Sequence, residues 1–315
     1  MAKKNKLDDF NETVSRFNRI SPAANVVLVI FLGLLALVCL YPVALMVVVS
    51  FSDNQSIVEA GFTLFPKYWS LDAYVSLLEM GDGLWMAYGI TIARSVIYTV
   101  LTLIVQSLYG YVIAQKTFVF KPFYTYFLFC TMVFGAGMMP SYIVNSRYLH
   151  LDDTFWILIL PGLIGCSSTI ILRTFINTNI PDSLMESARI DGASNLRIYI
   201  QIVMPLLKPG LACLGMMALV GRWNEWFTGI LYINENTWLT PLQTVLQRIQ
   251  ADMEFMKQAM MSGGADMSIQ EQFRNIPTES FRMAITVVAS LPVMVCYPFF
   301  QKYFISGLTI GSVKG

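Results

Sequence analysis

Residues 181–209 read PDSLMESARIDGASNLRIYIQIVMPLLKP. The stretch is too polar to cross a membrane, yet it lies between two of the most apolar segments of the chain. Its local grammar is that of two short helices and a turn. Ser183 and Glu186 have the capping-box spacing behind Pro181, with Asp182 as an alternative cap, so a helix is predicted from near Leu184. Gly192 ends it, because glycine tolerates the left-handed backbone that terminates a helix. Ser194 or Asn195 then caps a second helix running to about Met204, where Pro205 and Pro209 interrupt.

Composition sets the surroundings of this element. The 315 residues are 56% hydrophobic and only 13% charged, about half the charge of a soluble domain, so the chain is an integral membrane protein. A net charge of +1, with no basic run beyond the KKNK at residues 3–6, gives no sign of a nucleic-acid partner. Cys39, Cys130, Cys166, Cys213 and Cys296 lie in apolar segments without metal-ligand or redox spacing and read as small hydrophobes. His150 is the single histidine, in a short loop. The sequence has no P-loop, no GxGxxG after a strand, no HExxH and no CxxC. The chain is therefore expected to be no enzyme and to bind no metal or cofactor, and any ATP it depends on has to be bound by another chain.

A spanning helix needs about 20 apolar residues, and six segments qualify: 26–50, 86–114, 122–144, 154–175, 205–233 and 283–303. The expected fold is all-α, a polytopic membrane protein with six transmembrane helices in one domain over 25–304. A polar arm over 1–24 precedes it and a tail over 305–315 follows. Lys and Arg concentrate in the arm, around Lys116 and Lys121, and around Arg173, Arg189, Arg197 and Lys208. The positive-inside rule thus puts both termini and the stretch 181–209 in the cytoplasm. Two loops then face outward, 51–85 and 234–280. The second holds Leu242, Val245, Leu246, Ile249, Met253, Met256 and Met260 at helical spacing before Gly263-Gly264. A helix there either docks a partner through its methionine face or lies over its own bundle.

Charges inside spans are costly unless paired or facing a cavity. Arg222 and Glu225 are three apart and can neutralise each other along a helix face. Trp223 and Trp226 share that spacing on a neighbouring face, with Asn224 between them. Such a face suits stacking on sugar rings; alternatively the charges clamp two spans and the tryptophans pack between helices. Arg94, near the end of the second span, is expected to snorkel to the interface.

Glu186-Ser187-Ala188, Asp191-Gly192-Ala193, Ile202 and Pro205 together resemble the EAA motif of bacterial ABC importer permeases, with Ser187 where alanine is usual. Trp223-Asn224-Glu225-Trp226 resembles the WN-acidic-aromatic segment of carbohydrate permeases. The ending Gly311-Ser312-Val313-Lys314-Gly315 is similar to the tail of MalG-like permeases. The whole pattern looks most like the LplC and YtcP type of oligosaccharide permease. The resemblance implies the MetI-like fold of a type I importer in the bacterial cytoplasmic (inner) membrane. It implies a second permease as heterodimer partner, two copies of a cytoplasmic ATPase holding ATP and Mg, and an extracytoplasmic solute-binding protein. Glu186 would anchor the ATPase, Ala188 would pack closely, Gly192 would turn between coupling helices, and the tail would reach the ATPase. A capped helix tied by proline to a span would move as a lever. The rival reading is a self-contained, ion-coupled secondary transporter, in which Glu225 would be the acidic group.

Overall fold

The computed structural model describes residues 21–79, 81–261 and 278–312. The arm residues 1–20, Gly263-Gly264 and the tail residues Val313, Lys314 and Gly315 lie outside them. The described residues are helical, with no strand beyond one isolated antiparallel bridge between Ser52 and Trp69. The chain divides into two units, Met1–Tyr74 with Pro277–Val287, and Val75–Ile276 with Val288–Gly315.

In the first unit, α1 (Pro22–Ser50) starts on Ser21, whose hydroxyl accepts from the Ala24 amide. It is exposed along nearly all its apolar length. A short helix α2 (Asn54–Ala60) follows, capped by the Asp53 carboxylate. Lys67 hydrogen-bonds Glu59 at 3.1 Å and holds that carboxyl below its usual range. Helix α3 (Asp72–Glu79) opens with Tyr74 stacked on Phe51 at 4.7 Å.

The second unit is built on α4 (Asp82–Ala114). The expected third span is bent by 113° between α5 (Lys121–Val133) and α6 (Met138–Ile143), which runs on through a π turn to Tyr148. The break falls on Phe134-Gly135-Ala136-Gly137. The expected fourth span differs more. Phe155–Leu158 forms one 3-10 turn, irregular backbone continues to Gly165, and only Cys166–Asn179 is α-helix, here α7. Fourteen residues rise about 21 Å, less than the roughly 30 Å of a hydrocarbon core. The cause is local: Pro161-Gly162 is a turn dipeptide, and Gly162 takes φ +84°.

After α8 (Asp182–Ile190), the fifth span departs in the other direction. One continuous helix, α9 (Asn195–Asn224), replaces the expected short helix, interruption and span. Its backbone widens into a π turn at Tyr199–Val203, and Pro205 sits in the first turn beyond it, where its missing N–H leaves little unmade. The chain breaks at Glu225 before α10 (Phe227–Tyr232). The amphipathic repeat forms α11 (Leu242–Met261), with Leu242 and Leu246 buried. The last helix is α12 (Thr278–Ser312). Four helices among the described residues are long and apolar enough to span a membrane, or five if the bent pair is one span.

Candidate functional site

Helix α8 begins at Asp182 behind Pro181 without a side-chain cap, so the Ser183–Glu186 capping box does not form. The proline itself fixes the entry. At its other end the Ala193 amide reaches the Ala188 carbonyl at 2.9 Å and the Gly192 amide the Arg189 carbonyl at 3.0 Å. Gly192 has φ +81°. This is a Schellman closure, which satisfies carbonyls that would otherwise be orphaned. Ser194 then caps α9, its hydroxyl accepting from the Arg197 amide at 3.3 Å.

The corner so formed is not a free joint. Met185 is buried in a core with Tyr111 and Ala114 of α4, Leu172 and Ile176 of α7, and Ile198, Tyr199, Val203 and Leu207 of α9. Ala188, Ala193 and Ile202 pack against that core. Polar contacts add to it at the end of α4. Arg189 donates to the Gln115 amide oxygen, and Lys116 pairs with Asp182 at 2.5 Å. That hydrogen bond and charge draw the Lys116 ammonium pKa upward. Tyr199 shares a 2.7 Å hydrogen bond with Ser107, and Tyr111 donates to the Asn195 carbonyl at 3.3 Å. Glu186 and Ser187 remain exposed. One face of α8 is thus fixed to three helices while the motif's polar residues are presented outward.

At the other end of α9 the expected Arg222–Glu225 pair is present, and Arg94 joins it at closer range. Arg94 does not snorkel. It is fully buried, with Nη1 at 3.2 Å from Glu225 Oε2 and Nη2 donating to the Glu225 carbonyl. Arg222 Nη1 stands 4.0 Å from the same carboxylate oxygen. Its Nη2 donates to the Pro161 carbonyl at 2.8 Å, and its guanidinium lies 3.8 Å over the Tyr98 ring. The second Glu225 oxygen accepts from the Thr228 amide at 2.7 Å and so starts α10. Because α9 stops at Asn224, Trp223 and Trp226 do not share a helix face. Trp223 is buried and donates to the Ala289 carbonyl at 3.0 Å, whereas Trp226 is exposed. The two tryptophans therefore do not form one stacking platform.

Two features here were not anticipated. The irregular segment before α7 has its carbonyls taken one after another: Pro161 by Arg222, Gly162 by Tyr98 at 2.9 Å, and Leu163 by Gln106 at 3.0 Å. Non-helical backbone at membrane depth survives only when buried in protein or lining a watery cavity, and α4 and α9 supply what it needs. The Pro161-Gly162 pair was the available signal. The second feature is Asp153, at φ +51°, whose Oδ1 accepts from the Asn234, Glu235 and Asn236 amides at 2.7, 2.9 and 3.2 Å. Burial pushes its pKa up, but the three amides outweigh this and hold it below the usual carboxylate range. Nothing in the sequence around Asp153 announces contacts 81 to 83 positions away.

The arrangement offers a fixed corner presenting polar residues, a buried charge cluster and an exposed tryptophan, and among the described residues no nucleophile is paired with a base. Among the described residues no group of three or more His, Cys, Asp or Glu could hold a metal. A family model described as "Binding-protein-dependent transport system inner membrane component" matches residues 83–310. The chain belongs to this family. It is a permease, a non-catalytic membrane subunit whose ATPase is a separate protein. Across 90% of its length the permease is 35% identical to the polygalacturonan/rhamnogalacturonan transport system permease protein YtcP of Bacillus subtilis (strain 168), covering 96% of that protein. It is 33% identical to Protein LplC of the same organism over 91% of its length and 93% of LplC. The resemblance to LplC and YtcP read from the motifs is thus shown. A solved bacterial ABC transporter involved in the import of the acidic polysaccharide alginate superposes with a TM-score of 0.74 at 25% identity, covering 91% of the permease and 99% of that chain.

Proposed function

We propose that this permease forms half of the pathway of an ATP-driven importer of carbohydrate, and that its substrate is an oligosaccharide moved by alternating access. The observation that carries the reading is the α8 corner, where Glu186, Ser187 and Asp191 face outward while Met185 anchors the helix into the core of α4, α7 and α9. A polar ridge fixed to three helices transmits a push from a soluble partner without absorbing it. In this reading Glu186, Ser187, Ala188, Asp191, Gly192, Ala193, Ile202 and Pro205 couple to the ATPase, and the tail from Gly311 onward, including Ser312, contacts it. ATP and Mg belong to that partner. The chain crosses the cytoplasmic membrane six times, by α1, α4, the bent α5–α6 pair, α7 with its irregular lead-in, α9 and α12, with both termini inside. A second permease, two ATPase copies and an outer solute-binding protein complete the assembly. The exposed apolar length of α1 suits lipid or the second permease. Arg222, Asn224, Glu225 and Trp226 border the pathway, with Trp223 behind them.

The ion-coupled alternative gains nothing from Glu225, whose carboxylate is held by Arg94 and the Thr228 amide. Affinity purification of the tagged permease from its own host tests the assembly: an ATPase and a second permease should accompany it, and vesicles containing all three with the binding protein should take up oligosaccharide only with ATP. Uptake by the permease alone, driven by a proton or sodium gradient, would sink the proposal.

A further inference from the structure

Lys116, Lys121 and Arg173 gather near the Ala114 end of α4. Lys116 is paired with Asp182 at 2.5 Å. Lys121 opens α5, partly buried, and the charges of Lys116 and Arg173 both bear on it. Its ammonium donates to the Ala114 carbonyl at 3.4 Å, a contact that does not cancel its charge. Arg173 of α7 is partly buried too, and its Nε, shut away from solvent, has no hydrogen-bond partner. Among the described residues no carboxylate stands within ion-pair distance of Lys121 or Arg173. Asp182, whose field reaches Lys121, is already held by Lys116. Like charges gathered in a partly desolvated seam are costly without an anion between them.

Helix packing explains why the two cations meet. Leu128 of α5 is buried against Cys166 and Ile170 of α7. Thr125 and Lys121 lie one and two turns before Leu128 on the same face of α5, and Arg173 lies one turn beyond Ile170 on the facing side of α7. The Thr125 hydroxyl is buried in that seam and has no partner. Helical threonines usually return the hydroxyl to the carbonyl four residues back, as Thr91, Thr169 and Thr178 do here. A buried donor left over in this way calls for a ligand or an ordered water. Beside the seam, a groove of about 400 Å³ runs along α4, lined by Val105, Leu108, Tyr109 and Val112 and by Phe118 and Tyr124. Its walls are almost wholly apolar, and the Tyr109 hydroxyl is already bonded to the Tyr124 carbonyl at 2.9 Å. Phe118 and Tyr124 flank Lys121 in the chain, so the groove ends at the cations.

We propose that this seam and groove bind one anionic phospholipid, its phosphate held by Lys121, Thr125 and Arg173 and an acyl chain lying along the groove. The site goes beyond the importer reading and uses none of its coupling residues. Charge and shape choose the occupant together. A phosphodiester supplies the negative charge and acceptor oxygens that the cations and the hydroxyl lack, while a hydrocarbon chain suits the apolar walls. Basic pockets between transmembrane helices take anionic headgroups for the same reason. A zwitterionic lipid brings its own cation beside the phosphate and is the poorer ligand, and a free phosphate leaves the groove unfilled. The bound lipid ties the first half of the bent span to α4 and α7.

The test is photolabelling of the assembled transporter in nanodiscs containing phosphatidylglycerol or phosphatidylcholine with a diazirine in one acyl chain. Adducts are mapped by peptide mass spectrometry, and the exposed apolar face of α1 is the reference for unselective labelling. In the wild type the anionic probe should label residues 105–124 at least fivefold more than α1, and the zwitterionic probe should label the two alike. Lys121→Gln and Arg173→Gln should each lower the groove signal roughly fivefold, whereas Lys121→Arg should keep it. Equal groove labelling by the two probes, a signal unchanged in both glutamine variants, or no groove adduct would each overturn the site. Loss of labelling in millimolar inorganic phosphate, but not in chloride of equal ionic strength, would make the occupant a free anion and overturn the lipid. If the glutamine variants do not assemble, Val112→Trp, which fills the groove and keeps the cations, decides with the wild-type comparison. It should remove the groove adducts, and their persistence would count against the proposal.

Discussion

At its Ala114 end α4 meets α8 and α9 through Tyr111, Met185, Ile198 and Tyr199, an apolar core edged with exposed polar contacts. At Arg94 it meets the end of α9 through a buried guanidinium on a single carboxylate. Both junctions fix α4 to α9, but by different physics. The apolar core tolerates loss of any one edge contact, because packing is spread over many atoms. The charge cluster does not, because removing one partner leaves another buried and uncompensated. The corner formed by α8 is thus robust, whereas the cluster at Glu225 is brittle and its residues are specified one by one.

Breaking the brittle side should cost most. Glu225→Gln leaves Arg94 buried without its counter-charge and should destabilise the permease by about 3–5 kcal/mol, seen as loss of folded protein in detergent melting curves. Met185→Ala at the robust side removes a core side chain and should cost about 2–4 kcal/mol, with weaker retention of the ATPase on purification. Asp153→Asn should cost about 1–2 kcal/mol, since a neutral amide accepts the three backbone hydrogen bonds less strongly. The pH response follows from the lowered pKa of Asp153. Its stabilisation is complete above the ordinary carboxylate value of about 4 and is lost as pH falls through the lower folded value. Wild-type melting temperature should therefore drop on acidification below about pH 4, and Asp153→Asn should lack that component. Gly192→Ala meets no atom within 4 Å, so only the left-handed backbone is strained, at about 1–2 kcal/mol. Lys116→Ala should leave the melting temperature unchanged, because its pair with Asp182 is solvated.

The sequence displayed the robust corner well and the brittle cluster poorly. Gly192 and Ser194 act locally, within a few residues of what they terminate or cap, so their roles could be read from neighbours alone. Pro205 misled because a π turn just before it removes the hydrogen bond a proline would break. The spans 122–144 and 154–175 were apolar enough to look continuous, and hydropathy does not register the backbone turns at Gly135-Gly137 and Pro161-Gly162. Arg94 was misplaced because its partner is 131 positions away, and no periodicity connects them. Trp223 and Trp226 were put on one face by assuming a helix that Glu225 ends.

Packed into the core of α4, α7 and α9, helix α8 should move as one body with them and not swing on Gly192. A short bis-maleimide bridge between Gln115→Cys and Arg189→Cys, in a background with the native cysteines replaced, would lock α8 to the end of α4. ATP-driven oligosaccharide uptake by the bridged transporter should stay close to that of the unbridged variant. Loss of uptake on bridging, restored when the bridge is omitted, would contradict the rigid corner and make α8 a lever.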